Sequence, residues 1–147
     1  MRILVLGVGN ILLTDEAIGV RIVEALEQRY ILPDYVEVLD GGTAGMELLG
    51  DMADRDHLII ADAIVSRKNA PGTIMVLRDD EVPALFTNKI SPHQLGLADV
   101  LSALRFTGEF PKKLTLVGVI PESLEPHIGL TSTVEAMITP ALEQVLL

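Results

Sequence analysis

Three short aliphatic runs limit what this chain can fold into. They are residues 3–7, 58–61 and 114–120, broken only by Gly7, Thr115 and Gly118. None is long enough to read as a helix of ordinary length, and each carries apolar side chains on both faces of an extended strand. Strands of that kind need cover on both sides, which a parallel sheet obtains from flanking helices. Helical spacing follows the first run: residues 15–29 place Ile18, Ile22, Val23 and Leu26 on one face. Aromatic residues are 3% of the chain and Trp is absent, while hydrophobic residues total 49%. The core must therefore be aliphatic, and 147 residues suit a single domain spanning 1–147.

The remaining elements follow in order. Residues 36–40 read as a second strand, closed by Gly41-Gly42-Thr43, and 44–52 as a short helix. Residues 57–63 form the third strand, with Asp62 at its carboxyl end. A turn at 69–72 leads to a fourth strand over 73–77. No helix fits between the third and fourth strands, so the fourth is expected to run antiparallel at an edge. Residues 81–90 show no clear period and read as a loop, and a helix is expected over 93–105. Residues 121–130 read as a long loop; Thr131 starts a C-terminal helix that Pro140 kinks or restarts. The expected class is α/β: a three-layer α/β/α sandwich on a mostly parallel, five-stranded twisted sheet with one antiparallel edge strand. Residues 145–147 still read as helical, which leaves open whether the natural chain continues past Leu147.

Composition removes several classes of function. A formal net charge of −10 is the wrong sign for nucleic acid or an anionic membrane surface. With no cysteine, there are no disulfides, zinc-thiolate sites, iron-sulfur clusters or cysteine nucleophiles. The N-terminus lacks signal-peptide features and no apolar run reaches bilayer length, so a cytoplasmic protein is expected. No serine lies in a G-x-S-x-G elbow. Gly7-Val8-Gly9 invites a dinucleotide reading, but the third glycine is replaced by Leu12, and Glu16 would repel a pyrophosphate. The glycines are better explained by a tight turn and close backbone approach.

Three residues fall where open α/β sheets bind ligands, at the carboxyl edge of the strands. Glu16 follows the loop after the first strand, Asp62 ends the third, and His93 opens the helix after residues 81–90. Two carboxylates and an imidazole suit zinc, nickel or manganese, and three protein ligands leave coordination positions open. Taken singly, Glu16 (with Asp15) is a first-turn partner of a helix dipole and His93 an ordinary helix-start residue. Asp62 is costly to bury unpaired. Only convergence of the three favours a metal. Asp40-Gly41-Gly42-Thr43 also ends a strand: Asp40 is a candidate for proton transfer, and Gly41, Gly42 and Thr43 for admitting an extended peptide. The plainer alternative is a glycine turn with Thr43 capping the next helix. His57 falls on the opposite edge and reads as a surface residue; His127 reads as a solvated loop residue.

The segment from Gly7 to Gly19, GVGNILLTDEAIG, together with Asp40-Gly41-Gly42, Asp62-Ala63 and Ser91-Pro92-His93-Gln94, resembles the hydrogenase maturation endopeptidases across essentially the whole chain. The resemblance implies a twisted sheet flanked by helices. It also implies an activity, removal of a C-terminal extension from the large-subunit precursor of a nickel-iron hydrogenase after nickel insertion. The family's metal-contacting positions fall on Glu16, Asp62 and His93. Many relatives carry Asp at the first, and Glu16 is one methylene longer. The family's D-G-G segment, a substrate-recognition element, falls on Asp40, Gly41 and Gly42.

With no serine or cysteine candidate, water is the expected nucleophile. A resident metal would activate that water directly, with Asp40 as base and then acid. Alternatively, the triad contacts nickel already held by the precursor, which makes cleavage conditional on nickel; this second form is preferred. The nickel-containing precursor is then the partner, and the protease is expected to act as a monomer. A different class remains, a non-enzymatic nickel-binding assembly chaperone with the same triad.

Overall fold

The computed structural model describes residues 1–87 and 92–146. Its five strands are β1 (Ile3–Val8), β2 (Val36–Gly42), β3 (His57–Ala63), β4 (Ile74–Arg78) and β5 (Lys113–Val119). The helices are α1 (Ile18–Arg29), α2 (Leu49–Met52), α3 (Glu81–Thr87), α4 (Pro92–Thr107), α5 (Ser132–Glu135) and α6 (Ile138–Leu146). The sheet order is β2-β1-β3-β5-β4. Among the described residues only the β4–β5 pair is antiparallel, and β4 lies at an edge as expected.

Alternation along the strands builds two cores. Leu4, Leu6, Leu58, Ile60, Leu114 and Leu116 point to one face and pack with Val82 and Phe86 of α3 and Leu97, Leu101 and Leu104 of α4. Val5, Ile59, Ala61, Val117 and Val119 point to the other, under Ile18, Ile22, Val23 and Leu26 of α1 and Leu142 of α6. Burial on both faces is the reason these strands read as continuous aliphatic runs. No helix among the described residues is long and apolar enough to cross a membrane.

Four local readings need correction. Residues 81–87, expected as loop, form α3. Val82 and Phe86, one turn apart, are fully buried. The helix is too short for its period to stand out, and Pro83 is tolerated because it lies in the first turn. The rest of that expected loop, residues 88–90, lies outside the described residues, as does Ser91. Thr43 caps nothing: after β2 the chain passes to a 3-10 turn, Met46–Leu48, whose N-cap is Gly45. Asp15 and Glu16 lie in a second 3-10 turn, Thr14–Ala17, ahead of α1 rather than within it. Finally, Asp15, read as a first-turn dipole partner, is completely buried, with its carboxylate taken up by another loop. The C-terminal helix restarts as expected: Thr131 caps α5, and Pro140 falls in the first turn of α6.

Asp15 fastens the 121–130 loop to the first loop. Its carboxylate accepts bonds from Glu122 N (2.9 Å), Ser123 N (3.0 Å), Thr131 N (2.8 Å) and Thr131 Oγ1 (2.8 Å). Backbone bonds reinforce the join, from Thr14 N to His127 O and from His127 N to Leu12 O. Thr14 Oγ1 donates to Glu125 O.

Helix α1 meets the sheet with backbone against backbone. A Cβ on Gly19 would overlap the carbonyl oxygens of Ala61 and Val8, and one on Gly7 would overlap Gly19 O. Gly9 has φ +137°, and a Cβ there would overlap Glu16 O. The glycines after β1 therefore serve close approach, as the sequence indicates. Gly19→Ala is expected to lower stability by about 2–4 kcal/mol, because neither side of the contact is a flexible side chain. Urea denaturation with a wild-type reference measures it.

Candidate active site

The carboxyl ends of β1 and β3 lie side by side, with Gly7 opposite Ala61. This brings the loop after β1 next to Asp62. Helix α4 delivers His93 from its first turn, and the ring sits between the two carboxylates. His93 Nδ1 is 3.0 Å from Glu16 Oε1, and His93 Nε2 is 3.2 Å from Asp62 Oδ2. Asp62 is fully buried and His93 nearly so, while the Glu16 side chain keeps 13% of its surface exposed. The site therefore opens to solvent on the Glu16 side.

Two further groups orient these side chains. Gln94, next to His93, donates its amide to Asp62 Oδ2 (2.9 Å) and to Ala63 O (3.0 Å). It is buried, and its importance is missed by reasoning that searches only for titratable residues. The available signal was its place directly beside His93 at the start of a helix. Asn10 N donates to Glu16 Oε1 at 3.3 Å.

The electrostatics follow from this packing. Burial disfavours charge on the His93 ring. Hydrogen bonds to Asp62 and Glu16, with their negative charges, outweigh that and push its pKa up to about 9. Burial pushes the Asp62 carboxyl up, against its bonds from His93, Gln94 and Ala63 N. At neutral pH the His93 ring keeps its proton, held between the Asp62 and Glu16 side chains.

That arrangement bears directly on metal binding. The donors suit a divalent transition ion, but each ring nitrogen already faces a carboxylate, and one ion contacts only one ring nitrogen. Among the described residues, no group of three His, Asp or Glu side chains forms a ready metal cage. An ion held by all three residues requires His93 to lose its proton and the ring to turn.

The other candidates lie apart. Asp40 pairs with Gly7 on the far side of β1 from β3, is exposed, and accepts Gly42 N at 3.0 Å. It is not brought into contact with the triad. Gly41 is explained by packing, since a Cβ would press on Leu6 and Leu48, and Gly42 by its φ of +52°. Thr43 is exposed. His57 lies on the expected opposite edge but is half-buried, with Nε2 2.8 Å from Thr115 Oγ1. His127 is exposed, and it is its backbone that joins the two loops.

The His93 proton is bound more tightly in the folded protein than at the reference value of 6.5. Its contribution to stability is complete below 6.5 and lost as pH rises through about 9. Imidazole NMR is expected to show His93 titrating near 9 in the metal-free protein. In Asp62→Asn its pKa should be lower, and an unmoved value would refute the pairing.

Comparison with known proteins identifies the family. The family model described as "Hydrogenase maturation protease" matches residues 20–147. The chain is 94% identical over 146 residues to the hydrogenase 2 maturation protease of Escherichia coli K12, covering 99% of this chain and 89% of that protein. It is 47% identical to the hydrogenase expression/formation protein HoxM of Azotobacter vinelandii, over 96% of this chain and 69% of that one. Among solved structures, the E. coli hydrogenase maturating endopeptidase HybD superposes with a TM-score of 0.97 at 94% identity, covering 99% of this chain and 90% of that one. A hydrogenase 2 maturation peptidase from a Thaumarchaeota archaeon gives a TM-score of 0.74 at 34% identity, over 99% and 96% of the two chains. The chain belongs to the hydrogenase maturation protease family, and is a hydrolase of the endopeptidase class.

Proposed function

We propose that this protein removes the C-terminal extension of the large-subunit precursor of a hydrogenase 2 type nickel-iron enzyme, and that it recognises nickel carried by that precursor through Glu16, Asp62 and His93. The observation that carries the reading is the meeting of these three side chains, from three separate elements, at the carboxyl edge of the sheet. The nickel belongs to the substrate, and serves as a handle that positions the precursor and makes cleavage conditional on metal insertion. Gln94 holds the Asp62 carboxylate in place, and water is the nucleophile. Gly41 and Gly42 end β2, an edge strand, and Thr43 follows it, where an extended segment has room to lie alongside. Asp40 is the exposed carboxylate at that strand end and the candidate for proton transfer. We place the reaction in the cytoplasm, with the protease acting as a monomer.

Mixing the protein with nickel-loaded precursor and following the precursor's mass tests this reading. Loss of a C-terminal peptide is expected with wild type and no loss with Asp62→Asn. Processing by Asp62→Asn at the wild-type rate would defeat the triad, and stable binding without cleavage would favour a nickel-binding assembly chaperone. Asp40→Asn is expected to slow turnover by about 10²-fold or more if Asp40 moves the proton; an unchanged rate removes it from the mechanism.

Nickel binding to the isolated protein should be weak at neutral pH and gain about tenfold per pH unit until His93 titrates near 9, because one proton is displaced. Calorimetry in buffers of different ionisation enthalpy reads that proton directly.

A further inference from the structure

The two loops beside Glu16 expose apolar side chains that the triad does not use. Ile11 and Leu12 are 41% and 55% exposed, and Leu124 and Ile128 are 38% and 67% exposed. The loops form one surface, because Leu12 O and Thr14 N bond to the backbone of His127, and Asp15 ties down Glu122, Ser123 and Thr131. Much of the backbone is thus held before any partner arrives, so binding orders little further chain. The same first loop carries Glu16, which places the apolar surface at the open side of the site.

Charge selects the occupant. Residues 8–16 and 120–131 contain no Lys or Arg, and Glu122 and Glu125 are exposed around the apolar side chains. A second copy of this chain would set acidic border against acidic border, in a protein of net charge −10. A partner segment with apolar side chains beside Lys or Arg matches both the centre and the border.

We propose that the joined surface of the 9–13 and 121–130 loops docks the stretch of the precursor that leads into the active site, an apolar segment flanked by basic residues. This rests on the reading of the chain as the precursor's protease. The segment lies against Leu12 and Ile128, with its basic groups near Glu122 and Glu125.

Surface plasmon resonance with nickel-loaded large-subunit precursor over immobilised full-length protein tests this. Leu12→Gln and Ile128→Gln replace exposed side chains and should leave the melting temperature unchanged. Combined, they are expected to weaken binding by about tenfold or more. Glu125→Lys should slow association and reduce its dependence on salt. Ile31→Gln, on an exposed residue near the opposite edge of the sheet, should bind like wild type. The proposal is overturned if the combined variant binds as wild type does, if Ile31→Gln weakens binding equally, or if wild type does not bind. It is also overturned if sedimentation shows self-association that Leu12→Gln abolishes, since the surface would then join two copies. Mass spectrometry of the same mixtures separates the two readings. Cleavage with unchanged variant binding removes the docking surface alone. Weakened variant binding with no wild-type cleavage removes the protease reading alone.

Discussion

The contact between the start of α1 and the ends of β1 and β3 underlies the rest of the site. Gly19 lies so close to the Ala61 and Val8 carbonyls that a methyl group there would overlap both. Glu16 lies two residues before α1, and Asp62 directly follows Ala61. Closing the helix onto the strands therefore also sets the span between the two carboxylates. That span matches one imidazole ring, whose two nitrogens reach both at 3.0 and 3.2 Å. Side chains larger than hydrogen at this helix–strand contact would separate elements that the chemistry needs adjacent.

Neighbouring carboxylates then take opposite roles. Asp15 is completely buried, and its oxygens are taken up by backbone amides and the Thr131 hydroxyl. These bonds satisfy donors in a loop that has no regular structure of its own, which is how 121–130 acquires a defined position. Glu16 points the other way, towards His93 and solvent. One residue organises the frame and the next presents a functional oxygen.

Much of this architecture was legible in the sequence because two-sided burial leaves a plain mark. Runs such as Leu58-Ile59-Ile60-Ala61 need cover on both faces, and the missing crossover helix before β4 predicted its antiparallel edge position. The gathering of Glu16, Asp62 and His93 was legible for a related reason, since strand ends in such a sheet all open on one edge. Other features had no comparable signature. Helix α3 spans seven residues with a proline inside, and is held by Val82 and Phe86 contacts that depend on the sheet being in place. The burial of Asp15 depends on partners 107 to 116 residues away. Gln94 acts through its amide on a neighbouring carboxylate, and nothing in its residue type announces that role.

The charge balance of the triad bears on what kind of metal reader it makes. A buried carboxylate facing no cation would be costly, and the protonated His93 ring supplies one. The protonated ring offsets part of the cost of burying Asp62. A free ion arriving at neutral pH must displace a proton whose pKa is about 9, which weakens its binding about 100-fold relative to a deprotonated site. A nickel ion already held by another protein meets the same cost, but contacts between the two proteins offset it. In the proposed reading, firm engagement therefore needs metal and precursor together: scavenged ions compete with the His93 proton, and a nickel-free precursor leaves that proton where it is. In that reading, the protonated His93 that opposes capture of a free ion is for the same reason suited to testing another protein for its metal.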